Sequence, residues 1–465
     1  MRQIASILAV FMLFIFVISL QPTPVSGQFS TNTPSGQNAE ASPRVTDSLP
    51  SSSGGFNFST NTPTGPTSTP SNTPTSTATP TSTATNTSTP TATFTPSNTP
   101  SPTPTPNGPF SYPEGVNPLT GLPYPDEAAM LRRNLIVKIS NFPPLVRPQH
   151  GINEADVVYE YEAEGGVTRF AAIYRSNNPD RVGSIRSGRL LDIELVTMYN
   201  ALLAYSGTSE PIQELLTSPP FFNFQLISPS VGHGENQNNN CSDSPFCRDD
   251  GLFASGTPRE HTLFGNTNEM WEVADRQGTN TGYVAFGFAF GEDPAPNGTP
   301  ANDIFIEWWG QTDARWQYNP EEEIYQRFTD GQPHFDAADE EQLWADNLVI
   351  IEAPHVNRPD LFPEGATYTS LGVELWGQGR AYVIRDGVLY QGFWRRNENR
   401  ASGQALQLIY GDASPILLHP GRTWVTVVRG LGNANIQEAY TDVYATATIT
   451  ALTPSPTPFD PNPDG

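Results

Sequence analysis

Charged, apolar and small residues follow one another in that order at the start of the chain. Arg2 precedes an uncharged, almost wholly apolar run from Ile4 to Leu20, and Pro22, Pro24, Val25, Ser26 and Gly27 follow it. That order predicts residues 1–27 to be a secretory signal, either cleaved or retained as a membrane anchor. From Gln28 the apolar pattern disappears. Residues 28–109 are mostly Thr, Ser, Pro, Asn and Gly, with repeats such as TPTSTATPTSTATNTSTPT. A segment with so little to bury cannot offset the entropy of ordering, so it reads as a disordered stalk that Pro keeps extended. Its hydroxyls suit O-glycosylation. Residues 451–465 repeat the composition and read as a disordered tail.

Between these segments, regular periodicity returns. Leu135–Ile139 predicts a strand. Ala155–Glu164 and Val167–Arg175 alternate around Gly165-Gly166 and predict a β-hairpin with a two-residue turn. In that register Glu162 faces Arg169, Tyr161 faces Phe170 and Asp156 faces Arg175. Tyr159, Tyr161, Phe170, Ala172 and Tyr174 then share the buried face. Val182–Ile185 predicts another strand. Ser187 is a candidate N-cap, and Leu191, Leu195, Met198 and Tyr199 predict a helix over Gly188–Ala201. A strand over Ala201–Tyr205, a helix capped by Ser209 and running to Leu216, and a helix over Asn266–Arg276 follow. Strands alternating with helices predict an α/β domain over residues 110–290.

Residues 300–450 change character. Strand patterns recur at Ile304–Trp309, Ala314–Tyr318, Asn347–Ile351, Ala381–Ile384, Val388–Trp394, Ala405–Tyr410 and Thr423–Val428, punctuated by the turn signals Asp330-Gly331 and Asp386-Gly387. The predicted fold is therefore an α/β N-terminal domain followed by a mainly antiparallel β C-terminal domain, behind a disordered N-terminal stalk.

Charge narrows the classes of partner. The net charge of −24 over 465 residues repels phosphate backbones, which argues against nucleic acid. Membrane contact is expected only through the N-terminal segment. Cys241 and Cys247, in NNNCSDSPFC, can close a small disulfide ring in an oxidising compartment, and they leave a zinc donor set incomplete, so no metal is expected. The chain has no Gly-x-Ser-x-Gly elbow, no His-Glu-x-x-His, no P-loop and no dinucleotide fingerprint after a strand, so no cofactor is expected either.

Candidate chemistry gathers in two places. Arg186 and Arg189 flank Ser187 at a predicted helix N-terminus, where free N–H groups and guanidinium forks suit a phosphate or carboxylate. Arg169 projects from the hairpin and joins them as an anion-binding candidate, and His261, ahead of the later helix, is placed to reach the same cleft. The structural alternative is pairing of these arginines with Asp192, Glu194 or the hairpin carboxylates. Seven of the eight tryptophans lie in the second half or at its edges. Trp308 and Trp309 are adjacent in one strand and point to opposite faces, which makes them candidates for stacking on a glycan, with core packing as the alternative.

The same stretches carry a resemblance. Asn117-Pro-Leu-Thr-Gly121, Arg147-Pro-Gln149, Glu154 to Tyr161, Glu164-Gly-Gly-Val-Thr-Arg-Phe170 and Val182-Gly-Ser-Ile-Arg-Ser187 resemble the YerB-like lipoprotein family. Trp316-Gln-Tyr318, Tyr325-Gln-Arg327, Asp386-Gly387 and Pro420-Gly-Arg-Thr-Trp424 continue the likeness, which runs in order over about Asn117–Val428. It implies a two-part folded region and brings no established activity. Two departures stand out. The lipidated cysteine that the family name implies is absent after the apolar run. Where relatives look to carry His-x-Gly-Gly-Ser, this chain has Tyr205-Ser-Gly-Thr-Ser209, so no role of that histidine carries over. Residues 232–256, which hold both cysteines, look like an insertion. A more distant likeness, strand–turn–strand–Ser-Ile-Arg-Ser–helix, is to LytR-CpsA-Psr phosphotransferases, but their Pro-Arg-Asp is Arg186-Ser187-Gly188 here, without the metal-binding Asp.

Together these features predict an extracellular, surface-displayed or secreted envelope protein. The expected role is a binding module for wall glycan, an anionic envelope group or a surface protein. The alternative is an envelope enzyme acting on a phosphorylated or glycan substrate.

Overall fold

The computed structural model describes residues 107–218, 225–308, 312–361 and 367–438. The N-terminal segment, the stalk up to residue 106, Trp309 and the C-terminal tail lie outside the described residues. Asn107 already pairs with Phe290, so the folded chain begins inside the span expected to be stalk.

The N-terminal part is mixed α/β: β1 (Leu135–Ser140), β2 (Val157–Ala163), β3 (Val167–Tyr174), α1 (Leu190–Tyr199), β4 (Leu202–Ala204), α2 (Glu210–Thr217), β5 (Leu226–Ile227) and α3 (Thr267–Arg276). The C-terminal part is mostly antiparallel strand: β6 (Asp303–Glu307), β7 (Asp313–Asn319), β8 (Ile324–Thr329), β9 (Asn347–Glu352), β10 (Gly377–Arg385), β11 (Val388–Arg396) and β12 (Thr423–Val428). One 11-stranded sheet runs through both parts, in the order β11-β10-β9-β12-β2-β3-β1-β4-β5 with short strands at its edges. The joint is the parallel pairing of β12 with β2, from Val157 opposite Thr423 to Tyr161 opposite Val427.

Both faces of this sheet are covered, and every residue of β1, β3 and β12 is buried. On one face α1 contributes Leu191 and Leu195 to a core with Tyr159, Tyr161, Val349 and Val427. On the other, Trp316 of β7, Tyr325 of β8 and Met270 of α3 pack with Val158, Phe170, Tyr174 and Trp424. Cys241 is joined by a disulfide to Cys247, which lies in a small four-stranded sheet formed by Val182–Gly183, Leu263–Gly265, Phe246–Arg248 and Glu235–Asn236.

Two local expectations change. The hairpin turn has three residues, Glu164, Gly165 and Gly166, so Ala163 pairs with Val167, Glu162 with Thr168 and Tyr161 with Arg169. Gly165 and Gly166 sit at φ 83° and 72°, the left-handed region that glycine reaches without steric cost. A one-residue slip moves the whole of β3 to the opposite face. Phe170, Ala172 and Tyr174 therefore lie with Val158 and Glu160, while Arg169, Ala171 and Ile173 lie with Tyr159 and Tyr161. Alternation could not fix this register, because a strand buried on both faces has no polar side. The second change is at α1. Its cap residue is Arg189 and not Ser187, and Asp192 closes the first turn by accepting the Arg189 backbone N–H at 2.6 Å.

A buried ion pair ties the parts together. Glu160 of β2 meets Arg327 of β8 through two N–O contacts of 2.9 Å, with both side chains fully buried. The Thr168 hydroxyl at 3.1 Å and the Trp424 indole N–H at 3.3 Å donate to the same carboxylate. The rings of Trp424, Trp316 and Phe170 surround the guanidinium, with centroids 4.8, 5.2 and 5.4 Å away. Glu160→Gln leaves Arg327 buried without its counter-charge and is expected to cost about 3–5 kcal/mol in denaturant unfolding of the full chain. Glu162→Gln, whose partner Arg429 lies at the rim, should cost at most about 1 kcal/mol. Equal losses for the two variants would contradict the assignment.

Candidate anion site

Cross-strand partners share a sheet face, and this rule gathers the cations. Lys138 of β1 lies opposite Ala171, and Ser140 lies opposite Arg169. On the far side of β1, the Arg186 N–H donates to the Lys138 carbonyl and the Ser140 N–H to the Ser184 carbonyl, each at 2.9 Å. Ile139 and Ile185, which bridge each other, both point into the opposite core. Lys138, Arg169 and Arg186 thus emerge on the face that α1 covers, and Arg189 stands at the start of that helix. Arg169 reaches this face only because the hairpin turn has three residues.

Two carboxylates serve the cluster. Asp192 accepts the Tyr161 hydroxyl at 2.6 Å and pairs with Lys138 Nζ at 3.0 Å, all three side chains being buried. Glu164 pairs with Arg189 at 2.5 Å. Arg169 and Arg186 have no carboxylate partner among the described residues. Arg169 donates to the carbonyls of Thr168 at 3.0 Å and Phe142 at 3.5 Å, and Arg186 to that of Glu260 at 2.8 Å. The Nε of each is buried without an acceptor.

The titration behaviour follows from this crowding. Burial, and then the neighbouring charges of Arg189 and Arg186, push Arg169 down. Burial depresses Arg186 as well, with Glu260 opposing and Arg189 reinforcing the effect. Burial outweighs the attraction of Asp192 and brings Lys138 down to about 8. Burial and Arg186 push His261 down to about 4, so it is neutral at physiological pH, and its Nδ1 is buried without a partner. A buried cation is stabilised by an anion at hydrogen-bond distance, and among the described residues neither Arg169 nor Arg186 has one.

The structure thus brings Arg169, Arg186, Arg189 and His261 into one neighbourhood. Ser187 and Arg189 line an open cavity of about 330 Å³ with Ser209, Glu164 and Tyr368. Trp308 lies elsewhere, 5% exposed and packed into the second core. Lys138, Asp192 and Tyr368 were not among the residues singled out from sequence. For Lys138 the signal was available: it is one charge inside the otherwise apolar strand LIVKIS. Tyr368 offered none, since it sits in a loop without periodicity.

Comparisons with known proteins agree with this architecture. Residues 119–280 match the model described as "Protein of unknown function (DUF3048) N-terminal domain", and residues 304–425 match its C-terminal counterpart. The chain is 25% identical over 326 residues to the Bacillus subtilis (strain 168) protein named "Putative lipoprotein YerB", a match covering 69% of this chain and 88% of that one. The crystal structure of YerB from Bacillus subtilis superposes with a TM-score of 0.55 at 22% identity, over 69% of this chain and 99% of that chain, and so shares the fold. Both domain models match in order on either side of the β12–β2 joint, and the chain belongs to the DUF3048 family, whose YerB relative bears a lipoprotein name.

Proposed function

We propose that the folded region is an envelope-displayed binding module that takes up an anionic group, a phosphate or a carboxylate, at Arg169, Arg186 and Arg189. The carrying observation is Arg169: a guanidinium 6% exposed, with its Nε unpartnered and with Arg189 and Arg186 acting on it more strongly than the Glu164 carboxylate. A fold that tolerates such an arrangement gains stability when an anion enters it. Display outside the cell is supported by the charged–apolar–small order of residues 1–27, by the stalk composition and by the relative's lipoprotein name. A second reading, an envelope enzyme acting on a phosphorylated or glycan substrate, draws on Lys138, whose pKa of about 8 beside Tyr161 and Asp192 suits proton transfer. Its complete burial keeps it from touching a ligand, which favours binding over catalysis.

Mass action supplies the first test. Inorganic phosphate should raise the melting temperature of the full chain relative to chloride at matched ionic strength, by about 2.7 kcal/mol of stability at a hundredfold excess over Kd. Arg186→Gln should bind phosphate at least ~10-fold more weakly. Identical phosphate affinity in variant and wild type would overturn the reading.

The pH profile supplies the second. With sulfate as probe, ligand ionisation drops out. His261, at about 4, stays neutral, and Lys138, at about 8, holds its proton below that value. Affinity should be flat from about pH 5 to 7 and fall through about pH 8, as loss of the Lys138 proton lowers the positive charge of the site. A steep gain on acidification near the ordinary histidine value of ~6.5 would show that His261 titrates in the site, against this account.

A further inference from the structure

Tyr368 is 57% exposed, unusual for so large a ring beside a charged cluster. Its ring lies over the hairpin turn: a Cβ on Gly165 would stand 3.2 Å from the ring carbon Cε2. One side of the tyrosine ring is therefore packed close to a glycine that leaves room for it, and much of the residue is open to solvent. Tyr368 also lines two cavities. One, of about 330 Å³, holds Arg189, Ser187 and Ser209. The other, of about 460 Å³, holds Asn357, Thr369 and Arg429. Glu164, Thr367 and Tyr368 line both, so the two cavities make one groove wrapped around the Glu164–Gly166 turn.

The lining of this groove joins hydroxyl, amide, carboxylate and guanidinium groups with Ala163, Ile212 and Leu371 around a single aromatic ring. Ser209 Oγ is buried at its wall without a hydrogen-bond partner. An acyl chain would leave the hydroxyl and amide groups without partners, and an anion alone would need no platform. A sugar ring uses both parts: its C–H face rests on an aromatic ring, and its hydroxyls exchange hydrogen bonds with Ser, Thr, Asn and Glu. Arg189 connects the groove to the anion site, because it lines the cavity, pairs with Glu164 and lies in electrostatic reach of Arg169 and Arg186.

We infer that the ligand is an anionic saccharide, seated with its phosphate or carboxylate toward Arg169, Arg186 and Arg189 and its sugar ring on Tyr368. This rests on the anion reading above and names the class of molecule that carries the anion. The test is isothermal titration of the full chain with inorganic phosphate, glucose 1-phosphate and glucuronate. Glucose 1-phosphate should bind about 3- to 10-fold more tightly than phosphate, the gain expected of one aromatic contact. Tyr368→Ala should erase that advantage and leave phosphate affinity unchanged, and Tyr368→Phe should keep it. Tight binding of glucuronate but not of glucose 1-phosphate, lost in Tyr368→Ala, supports the carboxylate form of the ligand. Glucose 1-phosphate and glucuronate no tighter than phosphate, or a Tyr368→Ala variant that weakens phosphate equally, overturns the saccharide inference while the anion site stands. Absence of binding for all three probes, alike in wild type and Arg186→Gln, removes the anion reading and this inference with it.

Discussion

Glu160 keeps a charge at the centre of a sheet covered on both faces, and it can do so only where Arg327, Thr168 and Trp424 all reach it. Those partners come from both parts of the chain, so the pair forms only when β12 has docked on β2 and the β8 strand has closed over them. The same requirement dictates the hairpin. Thr168 must face Glu160 to donate its hydroxyl, and Phe170 must face it to flank the guanidinium. With Thr168 and Phe170 on that side, strand alternation sends Arg169 to the other. The two-residue turn would have placed Arg169 in the second core, beside a carboxylate already filled by Arg327. The placing of Arg169 in the cation cluster on one face is thus a consequence of an ion pair on the opposite face.

Turn chemistry explains why some registers were legible and this one was not. Asp386-Gly387 makes a two-residue connection, with Arg385 paired to Val388 and both turn residues at positive φ. Asp330-Gly331 does the same between Thr329 and Gln332. Asp-Gly is restricted to that geometry by its own preferences. Gly165-Gly166 is not, because two glycines fit two- and three-residue loops equally, and the choice passes to tertiary contacts: the Glu160 pair on one side and Glu164 reaching Arg189 on the other. The apolar segments of β1, β9, β12 and α3 were visible in the sequence because each has its full periodic length. The joining of β12 to β2 was not, since a parallel pairing between residues so far apart in the chain leaves no local trace.

The site was legible in part, and for a partly mistaken reason. In the sequence Arg186 and Arg189 flank a helix start that Ser187 is expected to cap, and His261 stands ahead of the later helix. The structure keeps the residues together by other means: Arg186 is held by its backbone bond to Lys138, and Arg189 is itself the cap, fixed by Asp192. Asp192 does triple duty, closing the helix turn while pairing with Lys138 and accepting from Tyr161, and no spacing rule announces that. The tryptophans show the opposite limit. They stand out in composition, yet Trp308, Trp316, Trp394 and Trp424 are all buried, while the open aromatic ring beside Arg189 is a tyrosine against a turn glycine.

A site proposed to accept anions, on a chain of net charge −24, would carry its own selectivity. At distances beyond the screening length, about 8 Å at physiological ionic strength, the acidic surface dominates weakly and disfavours any ligand with many charges. Within that length the local balance is reversed, because Arg169 is buried, Arg186 is half-buried, and neither has a carboxylate partner among the described residues. A polyanion such as a nucleic acid pays the long-range repulsion along its whole length and can place only one of its groups in the pocket. A mostly neutral polymer with an occasional phosphate or carboxylate avoids that repulsion and still presents the group the arginines need. On the proposed reading, the contrast between global and local charge would favour ligands of low charge density, and the mixed polar and apolar groove with its open tyrosine ring would take the neutral part of such a polymer.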